Sequence, residues 1–274
     1  MNKKLNNIKL IILDIDKTIT DSNNKISEYT KKILQTAISK GIYVVLCSGR
    51  TNSYVMEKSK TLEITPIVIS SNGSLIYDYK EKKSIHIDEL SPPEIEEILF
   101  QAQKYQISCK LNAITTRFHN DLVEEKDRDD CQPLQNLHTL LEPIVQVYAY
   151  NGNYESIRKF MKKIENNYNI ANSSSNLVKR KIKDDSFYWL DIIKKNNSKG
   201  NAINKLIKYL KLKKEETICF GDHINDFSMF EACGINCAVG NAMEELKREA
   251  DYITLPSEDD GVAKFIQENI LEIS

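Results

Sequence analysis

No two of the six cysteines stand in a C-x-x-C pair, and His86, His119 and His138 show no mutual metal-ligand spacing. These absences exclude a disulfide scaffold and a structural zinc module. Long apolar runs are also missing: the longest, Leu10 to Leu13 and Ile42 to Cys47, fall far short of the about 18 residues of a membrane span. Asp14 and Asp16 interrupt the apolar stretch after the basic start, so no export signal is expected, and free thiols in a reducing cytoplasm fit the cysteine usage. Neither sign of charge dominates, with 38 basic and 39 acidic residues and a net charge of −1. The arginines are scattered and there is no basic block, which argues against nucleic acid as a partner. What remains is an ordinary globular composition, 41% hydrophobic and 28% charged over 274 residues, enough for one large domain or two modest ones.

Hydrophobic patterning gives the organisation. Ile8 to Ile15 is β-branched and continuously apolar until two aspartates appear, the signature of a strand buried on both faces of a parallel sheet. A helix is expected from Ser27 as N-cap to Gly41, then a second buried strand at Ile42 to Cys47, a helix to about Lys60 and a strand at Ile67 to Ile69. This βαβαβ order predicts an α/β fold with a doubly wound parallel sheet. After Ser70-Ser71-Asn72-Gly73 the pattern changes to a hairpin, Leu75 to Tyr79 with Ser84 to Ile87, and Ser91-Pro92-Pro93-Glu94 opens a helix with a capping box. The following stretch has a polar run at Asp121 to Gln135, an alternating strand at Val145 to Tyr150, an amphipathic helix carrying Ile157, Phe160 and Ile164, a loop at Asn172 to Asn176, and a strand near Phe187 to Asp191. The doubly wound pattern resumes with a helix from Lys199 and a strand at Thr217 to Phe220 that breaks at Gly221-Asp222. The expected organisation is a core of residues 1–88 and 190–274 with an inserted α/β cap domain of residues 89–189.

Ligands of open α/β sheets bind beyond the carboxyl ends of the strands. Four such ends are polar here: Asp14-Ile15-Asp16-Lys17-Thr18, Ser48-Gly49-Arg50, Lys199-Gly200, and Gly221-Asp222-His223-Ile224-Asn225-Asp226. Clustered oxygen ligands with no histidine or cysteine ligand suit Mg²⁺, and a carboxylate can also act as a nucleophile through an aspartyl-phosphate. Phosphoryl transfer is the chemistry these parts serve. Arg50 reads either as a substrate-phosphate contact or as a helix-surface charge, and Asn72-Gly73 either as a turn or as a substrate-facing loop.

These four motifs, in this order, resemble those of the haloacid dehalogenase superfamily of aspartate-nucleophile phosphatases, specifically the Cof-like members with a large α/β cap. The resemblance implies roles. Asp14 is the nucleophile, and Asp16 protonates the leaving oxygen and then deprotonates water. Asp222, the Asp14 side chain and the Asp16 carbonyl oxygen hold Mg²⁺. Ser48, the Gly49 amide and Lys199 bind the phosphoryl group, while Asn225 and Asp226 orient the others. Lys17 and His223 depart from the family pattern, which has glycine and a small residue there. The implied activity is a Mg²⁺-dependent phosphatase for a small phosphorylated metabolite, with sugar phosphates the leading class; a phosphosugar mutase and a non-catalytic phospho-ligand-binding regulator are the rivals. A monomer and a homodimer both fit the mixed-charge surface, and no membrane partner is expected.

Overall fold

The computed structural model describes residue 5 and residues 7–124, 130–171, 179–182 and 185–271. The loop expected at Asn172 to Asn176, and residues 125–129 of the expected polar run, lie outside the described residues. The elements begin with β1 (Leu10–Leu13), α1 (Glu28–Ser39), β2 (Tyr43–Cys47), α2 (Asn52–Leu62), β3 (Ile67–Ser70), β4 (Leu75–Asp78) and β5 (Lys83–Ile87). There follow α3 (Pro92–Lys104), β6 (Ser108–Asn112), β7 (Arg117–His119), β8 (Gln132–Pro133), β9 (Gln146–Asn151), α4 (Tyr154–Ile164), β10 (Tyr168–Ile170), β11 (Lys179–Ile182) and β12 (Asp185–Lys194). The chain then forms α5 (Lys199–Tyr209), β13 (Thr217–Gly221), α6 (Phe227–Ala232), β14 (Ile235–Ala238), α7 (Glu244–Glu249), β15 (Tyr252–Ile253) and α8 (Gly261–Ile266).

Two compact units result: Met1–His86 with Ser198–Ser274, and Ile87–Asn197. The second ends later than a division at 189/190, because β12 runs through that point while pairing with β9, β10 and β11. In the first unit the strand order is β15-β14-β13-β1-β2-β3-β4-β5. The five strands β13, β14, β1, β2 and β3 are parallel where they pair, and β4 joins β3 antiparallel, so the hairpin expected from the sequence extends the core sheet. Every residue of β1 is fully buried, as a central parallel strand requires. The chain leaves β1 toward β2 and leaves β13 toward β14, so the strand order reverses between these two neighbours. Right-handed crossovers in opposite directions then place α1 and α2 on one face of the sheet and α6 on the other.

Local chemistry sets the helix starts. Ser27 accepts the Thr30 amide at 2.9 Å, and Ser198 accepts the Asn201 amide at 3.1 Å, which fixes Lys199 in the first turn of α5. In the second unit the Ser91 amide donates to Glu94 at 2.7 Å, completing the expected capping box. There α3 and α4 bury Ile95, Ile98, Ile157 and Phe160 against Cys109, Leu111, Val147, Ala149 and Leu190 of a mainly antiparallel sheet. The sequence reading lacked β6, β7, β8, β10, β11 and β15, which are short or alternate with polar residues.

Close packing in the first unit depends on Gly200. A Cβ there would lie 2.0 Å from the Ser228 carbonyl oxygen, so α5 can approach α6 only without a side chain. At Gly41 the φ of +82° demands glycine, although the surrounding space is open. Gly200→Ala is expected to lower the free energy of unfolding by about 2 kcal/mol or more and Gly41→Ala by about 1 kcal/mol. Urea denaturation measures both, and equal losses would contradict the packing argument.

Candidate active site

Asp14 follows the last residue of β1, and its amide donates to the Phe220 carbonyl of β13 at 3.1 Å. The next residues fold tightly: the Ile15 carbonyl accepts the amides of Thr18, Ile19 and Thr20 at 3.3, 3.1 and 3.2 Å. This turn forces Lys17 to a φ of +60°, a left-handed conformation that costs a non-glycine residue roughly 1–2 kcal/mol. Two bonds hold it there, from its amide to Thr20 Oγ1 at 3.0 Å and from Asn241 Nδ2 to its carbonyl at 2.8 Å. Thr18, buried below, places its hydroxyl 3.5 Å from Asp14 Oδ2 and 3.4 Å from Asp222 Oδ1, linking the ends of β1 and β13.

Lys199 enters from the first turn of α5 and is buried. Its Nζ donates to Asp14 Oδ1 at 2.5 Å and to Asp226 Oδ1 at 2.7 Å. The other oxygen of Asp226 accepts the amides of Asp222 and His223 at 2.9 and 3.0 Å. Gly221 makes room for this arrangement, because a Cβ at that position would lie 2.6 Å from Asp226 Cβ. One oxygen from each of Asp14, Asp222 and Asp226 lies within 4.8 Å of the others. Three buried carboxylates against one ammonium leave negative charge in excess, and the donors are all hard oxygens. This donor set fits a divalent cation of the Mg²⁺ kind.

The titration of the cluster reflects that excess. Burial pushes the Asp14 carboxyl well above its ordinary range, Asp226 and Asp222 add to the rise, and Lys199 opposes it. Burial likewise raises Asp222, to about 7, with Asp226 adding and Lys199, Lys17 and Thr18 opposing. Burial acts to discharge Lys199, but Asp14 and Asp226 outweigh it and hold the ammonium well above its usual value. His223 is held below its ordinary value, chiefly by burial. Lys17 thus lies near enough to Asp222 to favour its ionised form, so its charge acts on the site.

The other expected residues are placed as follows. Ser48 is buried at the end of β2, with its amide on Ile69 at 3.0 Å and its hydroxyl accepting the Arg50 amide at 3.3 Å. The Asp16 side chain is absent from the carboxylate cluster, where Asp226 stands instead. Both of its oxygens are taken by Arg50, from Nε at 2.9 Å and Nη2 at 2.8 Å. Asn72 and Gly73, expected either as a turn or as a substrate-facing loop, are buried in the core unit. Asn72 Oδ1 accepts Asn225 Nδ2 at 3.3 Å, and a Cβ on Gly49 would lie 2.8 Å from that oxygen. A Cβ on Gly73 would lie 2.2 Å from the Ser198 carbonyl oxygen, the residue that caps α5. Ser71, Asn72 and Gly73 have φ of 52°, 54° and 98°. This strain is held by bonds from the Ser71 amide to the Arg50 carbonyl at 2.9 Å and from the Asn72 amide to the Ser48 carbonyl at 3.1 Å. Sequence reasoning gave no role to Thr18, Gly200 or Asn241; the D-x-D-x-T spacing was the available signal for Thr18 alone.

Fold and site together define an α/β enzyme core with an acid-rich, amine-bridged cluster at the reversal point of its sheet. The haloacid dehalogenase-like hydrolase family model matches residues 11–266, and the chain belongs to that family. Among curated relatives, Phosphatase YwpJ of Bacillus subtilis is 29% identical over 95% of this chain and 99% of its own. A 5-amino-6-(5-phospho-D-ribitylamino)uracil phosphatase of the same organism is also 29% identical, over 96% of each chain. The fold is shared with a haloacid dehalogenase-like hydrolase from Bacteroides thetaiotaomicron, at a TM-score of 0.82 and 24% identity over 95% of this chain and 99% of that one. It is shared too with a subclass IIB sugar phosphatase, at a TM-score of 0.76 and 21% identity over 95% and 98% of the chains.

The raised carboxyls carry a pH dependence. A carboxyl whose folded pKa exceeds its unfolded value makes the fold bind more protons, so stability falls as pH rises through the interval, here from about 4 to about 7 for Asp222. A divalent cation bound by these carboxylates would displace those protons. Mg²⁺ is therefore expected to raise the thermal midpoint more at pH 8 than at pH 5. A shift independent of pH, or none at pH 8, would contradict the cluster's role as a cation site.

Proposed function

We propose that this hydrolase is a Mg²⁺-dependent phosphatase of small phosphorylated metabolites, with sugar phosphates the leading substrate class. The observation that carries the reading is the Lys199 ammonium bridging Asp14 and Asp226 beside Asp222. Asp14 attacks phosphorus: its Oδ–P bond forms as the ester P–O bond breaks, and the leaving oxygen takes a proton from Asp16. Water then forms a bond to phosphorus, the Asp14 O–P bond breaks, and Asp16 takes the proton of the water. Lys199 neutralises the nucleophile before attack and the phosphoryl oxygens after it. Ser48 and the Gly49 amide donate to the phosphoryl group, while Asp226 and Asn225 hold Lys199 and the loop after β13. The Asp14 and Asp222 side chains, with the Asp16 carbonyl, would hold Mg²⁺, which when bound supplies positive charge to the phosphoryl oxygens.

The relatives favour small phosphate esters: one is a sugar phosphatase and another is a phosphatase of a phosphoribitylamino compound. The second unit is the inserted cap, to which we assign the choice of substrate. We place the protein in the cytoplasm, supported by six free cysteines, five of them buried. Among the described residues no helix is long and apolar enough to cross a membrane.

Phosphate release from a panel of phosphorylated metabolites, with Mg²⁺ and with chelator, tests the proposal. Release that needs Mg²⁺ and falls at least about 10³-fold in Asp14→Asn is expected. Binding of phosphate esters with no release, or exchange of phosphate between sugar positions without release, would contradict it.

A further inference from the structure

Arg50 and Asp16 come from different loops, after β2 and after β1, and meet in a two-point fork of 2.9 and 2.8 Å. Their side chains are 35% and 32% exposed, so the pair adds little to folding, on the order of 1 kcal/mol or less. Its geometry is nonetheless tightly set from the arginine side. The guanidinium lies over the Tyr54 ring, 5.3 Å from its centre. The Arg50 amide donates to Ser48 Oγ at 3.3 Å, and its carbonyl accepts the Ser71 amide at 2.9 Å. The arginine is thus fastened to the loop that carries Ser48, and through the fork it fastens Asp16 to the same loop.

We propose that Arg50 is a positioning residue for Asp16, fixing the orientation of its carboxyl relative to Ser48 so that the carboxyl meets the leaving oxygen and then the hydrolytic water. This rests on the reading of Asp16 as the proton carrier. A planar fork takes both carboxylate oxygens and removes the rotational freedom of a half-exposed aspartate, which a single ammonium cannot do. Proton transfer in the first step matters for a basic leaving oxygen and little for an acidic one. Loss of orientation therefore shows as a selective loss, because a misplaced general acid costs most where the leaving group needs the proton.

The test uses the whole chain with Mg²⁺ and compares kcat/KM for an alkyl ester, glycerol phosphate or the best sugar phosphate of the panel, with that for para-nitrophenyl phosphate. The parameter kcat/KM reads the steps through phosphorylation of Asp14, and the ratio of two substrates in one protein sample is independent of the folded fraction. In Arg50→Gln the alkyl loss is expected to exceed the aryl loss by about tenfold or more, in the same direction as in Asp16→Asn. The double variant is expected to lose no more alkyl activity than Asp16→Asn alone. Equal losses on both esters, or additive losses in the double variant, would overturn the inference and make Arg50 a phosphate contact or a packing residue. Absence of the selective loss in Asp16→Asn itself would overturn the underlying role of Asp16, and with it that of Arg50.

Discussion

A buried ammonium between carboxylates organises the core unit. Lys199 is held by Asp14 and Asp226, and neither carboxylate tolerates burial without it. To bring these groups together, α5 must start beside the ends of β1 and β13. That requires a cap at Ser198, a Gly73 thin enough to pass under it, and a Gly200 that lets α5 lie against α6. Asp226 must fold back over Gly221 to receive two amides. The glycines and caps around the site are consequences of one electrostatic demand.

That demand is incompletely met by the protein. Asp222 stands beside a pair already neutralised once, and burial raises its carboxyl to about 7. A carboxylate cluster in this state favours positive charge, protons first and, under the proposed function, a divalent cation. Lys17 adjusts it from the rim, held at a strained φ by Thr20 and Asn241 where a glycine would sit unstrained. Its charge favours the ionised Asp222.

Three of the four motifs were legible because each ends a strand whose continuous apolar run is unmistakable: Leu10 to Leu13 before Asp14, Val44 to Cys47 before Ser48, Thr217 to Phe220 before Gly221. Parallel strands buried on both faces write their positions directly in hydrophobicity. The inserted unit was legible only in its helices and in β9 and β12. Its strand β6 reads Ser-Cys-Lys-Leu-Asn, with Cys109 and Leu111 facing the helices and Ser108 and Lys110 the other way, a pattern too short to separate from loop. The Arg50–Asp16 fork was not legible at all, since it joins two loops that only the sheet order brings together. Asn72 and Gly73 were recognised as notable, but their tasks, supporting Gly49 and passing Ser198, exist only in three dimensions.

The most direct test is the stability of Lys199→Met, without metal, at pH 5 and pH 8. Removing the ammonium leaves Asp14 buried without its counter-charge, so the Asp14 carboxyl rises further and stability is lost as pH increases. A loss of about 3–5 kcal/mol at pH 8 and a distinctly smaller one at pH 5 is expected from urea denaturation. A loss equal at the two pH values would contradict the view that charge neutralisation by Lys199 organises this core.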